Sequence, residues 1–184
     1  PLFFAEEIKD NTAFLYEDAD HMQKTLRFRV ADAITVSDGC GFCYACRIET
    51  MQKGCVQARV LSCTPAQSEP SISVTLYQSI CKGARFEVAT QKCTELGVKR
   101  IVPLHVRRCE MGAKDMDRRR ERLQKIAREA AKQCGRAWIP TVEKTVTVED
   151  VLAARHELLL CPYEEERTRP LKSVLQASHG VKDI

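Results

Sequence analysis

The sequence predicts an α/β protein made of a small β-rich part followed by a part built on a parallel sheet. Three observations predict it. The chain opens with short runs in which apolar and polar residues alternate, each closed by turn residues. The segment Thr64-Pro65-Ala66-Gln67-Ser68-Glu69-Pro70 then interrupts this rhythm with two prolines among small polar residues. Beyond it, strand-like and helix-like segments take turns, as parallel strands joined by helical crossovers do. This boundary divides the chain into residues 1–68 and 69–184.

In the first part, Thr12–Tyr16 reads as a strand. Thr25–Val30 reads as another, with Leu26, Phe28 and Val30 on one face and Arg27 and Arg29 on the other. Ala33–Ser37 follows and ends in the turn Ser37-Asp38-Gly39. Gly41–Glu49 and Cys55–Ser62 alternate again, separated by a turn at Gly54. In the second part, Ile72–Tyr77 is a strand. Ala84–Leu96 is a helix with Val88, Ala89, Cys93 and Leu96 on its apolar side and Gly97 as its stop. Val98–Leu104 is the next strand. Asp115–Cys134 reads as one long helix with an apolar stripe of Leu123, Ile126, Ala127, Ala130 and Cys134, closed by Gly135. Thr147 caps a short helix over Val148–Ala154. Leu158-Leu159-Leu160-Cys161 has the continuous apolar character of a strand covered on both faces. Pro170 opens a helix whose Leu171, Val174, Leu175 and Ser178 share a side, and Ile184 begins a further strand.

Composition narrows the function classes. Hydrophobic residues make up 44% and charged residues 29% of 184, an ordinary globular balance. No apolar run approaches the roughly 20 residues that span a bilayer. The start, Pro1-Leu2-Phe3-Phe4-Ala5-Glu6-Glu7, lacks the basic and apolar regions of a signal peptide, so the expectation is a cytoplasmic protein without a membrane partner. Ten cysteines in such a chain read as reduced, mostly buried thiols. The formal net charge is +4, but Lys99 to Arg136 holds thirteen Lys and Arg against five Asp and Glu. A basic segment on a neutral-to-acidic body suits a polyanion partner, or else makes a solvated helix face.

Two segments carry the most information. Lys82-Gly83-Ala84-Arg85-Phe86-Glu87-Val88-Ala89-Thr90-Gln91-Lys92-Cys93-Thr94-Glu95-Leu96-Gly97-Val98 is an amphipathic helix on which Glu87, Gln91 and Glu95 form a polar ridge. Arg122 to Pro140, RLQKIAREAAKQCGRAWIP, is a basic helix with a glycine stop. Together with IVPLHVRRC (Ile101–Cys109), PLFF and DADHMQKTLRFRV, they resemble in order the motifs of the bacterial family that methylates N3 of a uridine in 16S ribosomal RNA, of the knotted SPOUT class.

The resemblance implies a PUA-like, RNA-binding β-barrel over 1–68 and a SPOUT methyltransferase domain over 69–184. It also implies a homodimer, S-adenosyl-L-methionine as cofactor, no metal, and 16S ribosomal RNA or the small ribosomal subunit as partner. The family's Gly-Pro-Glu-Gly-Gly loop and its Leu-Arg-x-Glu-Thr-Ala segment are not in this sequence, so the expectation is a C-terminally truncated domain with an incomplete cofactor pocket. Of that pocket, the resemblance leaves Leu160, Cys161 and Tyr163. For RNA it marks Arg108, Gln133 and Arg136, with Glu95 and Glu129 as polar companions. Independently of the resemblance, His21, Lys24, Arg27 and Arg29 are candidates to track a phosphate backbone, or else keep the outer face of the first part wet. Arginine suits phosphate through its planar fork of donors; the other reading is internal Arg–Glu pairing. No catalytic residue is marked.

Two further classes stay open on the sequence. One is a noncatalytic RNA-binding module. The other is a metal or redox protein using Cys40, Cys43 and Cys46. On a strand, however, Cys43 and Cys46 point to opposite faces, and His21, His105, His156 and His179 lack zinc-ligand spacing.

Overall fold

The computed structural model describes residues 1–184 as two compact units. The first comprises Pro1–Glu69 and Lys125–Pro140; the second comprises Pro70–Gln124 and Thr141–Ile184. A single cut at the linker misses the return of residues 125–140 to the first unit. An amphipathic pattern shows that a helix has an apolar face, not which body that face is buried against.

The first unit is built on a six-stranded sheet in the order β1 (Leu2–Phe4), β4 (Ala33–Ser37), β5 (Phe42–Gln52), β6 (Cys55–Pro65), β3 (Thr12–Leu15), β2 (Glu7–Lys9). All pairs are antiparallel except β1 with β4. The β2–β3 hairpin turns on Asp10 and Asn11, both in the left-handed region. That is the two-residue geometry that matches strand twist and that Asp and Asn tolerate. Alternation along the strands sends Phe3, Ala13, Leu15, Ile34, Val36, Ile48, Val56 and Ala58 into one core, completed by Met22 of α1 (Ala19–Lys24). The strand expected over Thr25–Val30 is absent. The chain leaves α1 through Arg27 at φ 57, and Val30 stays exposed. Only Phe28 turns inward, edge-to-face with Phe3 at 5.8 Å. Local alternation fitted a strand there, but the adjoining helix and a left-handed residue leave no ladder partner.

Residues 125–140 are sewn onto this unit by backbone hydrogen bonds. Gly41 N–H donates to the Ala137 carbonyl and Ile139 N–H to the Gly39 carbonyl. The buried Ser37 hydroxyl donates to the Ala137 carbonyl at 2.9 Å and accepts from Gly39 N–H at 3.0 Å.

The second unit contains the expected parallel sheet. β7 (Thr75–Ser79) pairs with β8 (Arg100–His105). The short β9 (Thr141–Val142) and β10 (Val146–Thr147) follow one another along the far edge of β8. At the other edge, Asp183 bridges Ser73 in parallel, and Ile184 exchanges backbone hydrogen bonds with Ser73 and Thr75. α2 (Arg85–Glu95) links β7 to β8 and ends at Gly97, whose φ of 102 suits glycine. A Cβ on Gly97 would also stand 2.7 Å from the Pro70 ring. The buried face of α2 is Phe86, Thr90 and Thr94, not the Val88–Leu96 side; Leu96 is 81% exposed. Thr90 and Thr94 donate their hydroxyls to carbonyls four residues back, at 2.9 and 2.7 Å, which lets polar side chains enter the core.

Two other expectations change. The long helix is broken into α3 (Ala113–Asp117) and α4 (Arg120–Cys134) around Arg118 and Arg119. The apolar run Leu158–Cys161 forms no strand, because no neighbouring strand offers it a ladder. Thr147 does cap α5 (Val148–Ala153), in a reciprocal box with Asp150. Pro170 does open α6 (Leu171–Ala177). No helix is long and apolar enough to cross a membrane.

Candidate cofactor cleft and nucleic-acid surface

The second unit carries a cleft of about 440 Å³ lined by Leu158–Tyr163, Glu166, Arg169 and the first turns of α6. Apolar residues are spent on this cleft without being buried: Leu159 is 44% exposed and Tyr163 61%, and α6 buries no residue. Its polar rim is preorganised. Glu166 accepts hydrogen bonds from the Thr168 hydroxyl, the Thr168 N–H and the Arg169 N–H. These bonds hold its carboxyl down at about 2. Tyr163 donates its hydroxyl to Glu165 at 2.9 Å. Leu160, Cys161 and Tyr163 all line this one cleft. Glu166, Arg169, Leu171 and Val174 join them there. Sequence reading singled out neither Glu166 nor Arg169, whose only signal was a polar turn between an apolar run and a proline-led helix.

The RNA candidates fall in both units. His21 is exposed on α1, Arg27 on the turn that follows it, and Gln133 near the end of α4. Arg108 is exposed in the turn closed by the Cys109 N–H to Val106 carbonyl bond, beyond the carboxyl end of β8. Arg136 lies elsewhere: it is 5% exposed and bonded to Glu69 at 2.7 Å. The other Glu69 oxygen accepts from the Ala137 and Trp138 N–H groups. This is the internal pairing that competed with RNA contact on the sequence. Glu69 itself had looked like an ordinary linker residue. Of the companions, Glu95 pairs with Lys92 and Glu129 is exposed; Lys24 pairs with Asp20 at 2.7 Å, and Arg29 is exposed.

The cysteines correct one expectation. All ten are free, but only Cys46 is buried, and Cys40, Cys63, Cys134 and Cys161 are exposed. Burial pushes the Cys46 thiol up to about 11, and Cys40 and Cys43 are also raised by burial and by Asp38. Protonated thiols are poor metal ligands and nucleophiles. No group of three or more His, Cys, Asp or Glu side chains is placed to hold a metal ion.

Comparison with known proteins decides the family. A family model described as an RNA methyltransferase domain matches residues 67–183. The chain belongs to that RNA methyltransferase family. Among curated members, the ribosomal RNA small subunit methyltransferase E of Synechocystis is 33% identical over 145 residues, covering 77% of this chain and 46% of the relative. That of Bacillus subtilis is 29% identical over 153 residues, covering 81% and 60%. This family member thus spans about half to two thirds of the length of such relatives. A solved ribosomal RNA small subunit methyltransferase E from Neisseria gonorrhoeae, bound to S-adenosyl methionine, superposes with a TM-score of 0.72. It is 30% identical, and the match covers 85% of this chain and 66% of that one.

Proposed function

We propose that this chain is the RNA-binding and donor-binding portion of an S-adenosylmethionine-dependent methyltransferase that modifies N3 of a uridine in 16S ribosomal RNA. The observation that carries the reading is the family match over 67–183, a span that includes both the apolar cleft and the basic loops of the parallel sheet. The names of the curated relatives favour an enzyme over a noncatalytic RNA-binding module. In this reading the six-stranded unit is a PUA-like barrel, the parallel unit is a SPOUT domain, and the enzyme works as a cytoplasmic homodimer.

The cleft suits the donor chemically. Its volume lies in the usual range for small-molecule sites, and its apolar wall with a polar rim matches a nucleoside joined to a charged amino-acid tail. Leu160, Cys161 and Tyr163 would hold the donor's apolar side, with Arg169 near its carboxylate. When bound, S-adenosylmethionine supplies a methyl group already activated by its sulfonium. The protein's work is therefore alignment, for which effective molarities on the order of 10⁵–10⁸ M set the scale. The uracil nitrogen must also lose its proton, and nearby cations offset the charge that develops on the ring. The target base must leave its stack. Exposed His21, Arg27, Gln133 and Arg108 are the proposed RNA contacts. Arg136 acts by holding Glu69 and, through it, the backbone of residues 137 and 138.

The test is calorimetric titration of S-adenosylmethionine into this chain and into one carrying the remaining length of its relatives, followed by nucleoside analysis of 16S ribosomal RNA after reaction. Donor binding that weakens in Tyr163→Ala, with a methyl on uridine N3, is the expected result. Absence of donor binding by either chain overturns the cofactor assignment, and a methyl at another ring position overturns the N3 assignment.

A further inference from the structure

The neighbouring strands β7 and β8 of the parallel sheet release their loops side by side at the carboxyl edge, where open α/β sheets place their ligands. The loop after β7 carries Lys82 and leads into Arg85, the first residue of α2, and the loop after β8 carries Arg107 and Arg108. All four cations are exposed. Only Lys82 has an acidic partner, Glu110, and that exposed pair spans the two loops. Lys82, Gly83, Ala84, Arg85 and Val88 line an open concavity of about 600 Å³.

The loops are tied together at Cys109. Its half-buried sulfur lies 3.5 Å from the Ile80 carbonyl oxygen, 3.8 Å from the Ser79 hydroxyl and 3.9 Å from the Leu104 carbonyl oxygen, and it accepts from the Val106 N–H at 3.4 Å. The Ile80 N–H also donates to the Leu104 carbonyl. These contacts fix the turn that presents Arg107 and Arg108 against the exit of β7.

We propose that the loops Ile80–Arg85 and Val106–Glu110 form one surface that grips the RNA phosphate backbone through Lys82, Arg85, Arg107 and Arg108, with Cys109 as its positioning residue. The proposal rests on the ribosomal-RNA reading above. Neither loop carries an aromatic side chain on which a base could stack, so four exposed cations suit phosphate contact more than base readout. Glu110 sets a partial brake by competing for Lys82.

The experiment is binding of a 16S ribosomal RNA fragment across a salt series, for the chain and its variants, with thermal unfolding as a control on folding. The unaltered chain should show a steep salt dependence. Replacing Lys82, Arg85, Arg107 and Arg108 together by Ala should flatten it by about 3 in the slope of log affinity against log salt, at about 0.7 per single-strand phosphate contact. Glu110→Gln should tighten binding while Lys82→Ala weakens it. A merely structural ion pair would move both variants the same way. Cys109→Ala should weaken binding with a smaller change in slope than the quadruple variant.

An unchanged slope in the quadruple variant overturns the surface while leaving the ribosomal-RNA reading intact. An unaltered chain that does not bind RNA even at low salt overturns both. Equal losses in Glu110→Gln and Lys82→Ala overturn the phosphate role in favour of loop bracing.

Discussion

Residues 125–140 of the first unit and the loops of the second use their charged residues in opposite ways. In the first, three cations are drawn inward to partners. Arg128 lies 5.5 Å over the Phe4 ring and pairs with Glu6 and Glu17, Lys132 pairs with the buried Asp18, and Arg136 with Glu69. In the parallel unit, Leu159, Leu171 and Leu175 remain in contact with solvent, and Arg107, Arg108, Arg119 and Arg120 are exposed. Arg128 and Arg136 of the first unit are therefore brackets for the fold, whereas the exposed Arg27 and the exposed arginines and leucines of the second unit are surface available to a ligand. The sequence run from Lys99 to Arg136 looks uniformly basic and hides this division.

The largest expected effect tests the bracket. Arg136→Ala strands Glu69 in a buried setting and should cost about 3–5 kcal/mol of stability in denaturant unfolding. A loss below about 1 kcal/mol would mean that the pair does not anchor the segment. Next, Thr147→Ala removes the capping box of α5 and should cost about 1 kcal/mol, so the parallel unit also has local structural dependencies. Leu171→Ala should change stability by no more than about 0.5 kcal/mol, because the side chain is 49% exposed, while reducing donor binding in the same preparation. A stability loss as large as that of Arg136→Ala would erase the contrast between the units.

The smallest effect is local. The carboxyl of Glu166 is held below its ordinary value by the Thr168 hydroxyl, then by the Thr168 and Arg169 N–H groups. A depressed carboxylate contributes its stabilisation above the ordinary value of 4.5 and loses it as pH falls toward about 2. An NMR titration of Glu166 should therefore show a midpoint near 2, with the Thr168 and Arg169 amides exchanging faster below it. A midpoint near 4.5 would show that the cleft rim is not preorganised.

Patterns that depend on neighbours in the chain were legible. The hairpin-rich start, the proline linker, the stop at Gly97, the cap at Thr147 and the opening at Pro170 each rest on backbone preferences or hydrogen bonds a few residues apart. Leu160, Cys161 and Tyr163, marked by the family resemblance, lie within four residues of one another and line one cleft. The resemblance to a ribosomal RNA methyltransferase family was legible for the same reason, since its motifs are contiguous stretches.

What required the tertiary structure was every property set by partners far away in the chain. Thr25–Val30 and Leu158–Cys161 have the composition of strands, but a strand exists only where another offers its backbone. The burial of Thr90 and Thr94 in place of Val88 and Leu96 depends on which face of α2 meets the sheet. Glu69 and Arg136, 67 positions apart, became a buried pair because residues 125–140 return to the first unit. The joining of Lys82 with Arg107 and Arg108 at one sheet edge follows from the parallel pairing of β7 with β8. Sequence alone determined local conformation and kinship. Tertiary structure decided which charges are neutralised inside the protein and which are left to meet a ligand, because that depends on distances the chain sets only after it folds.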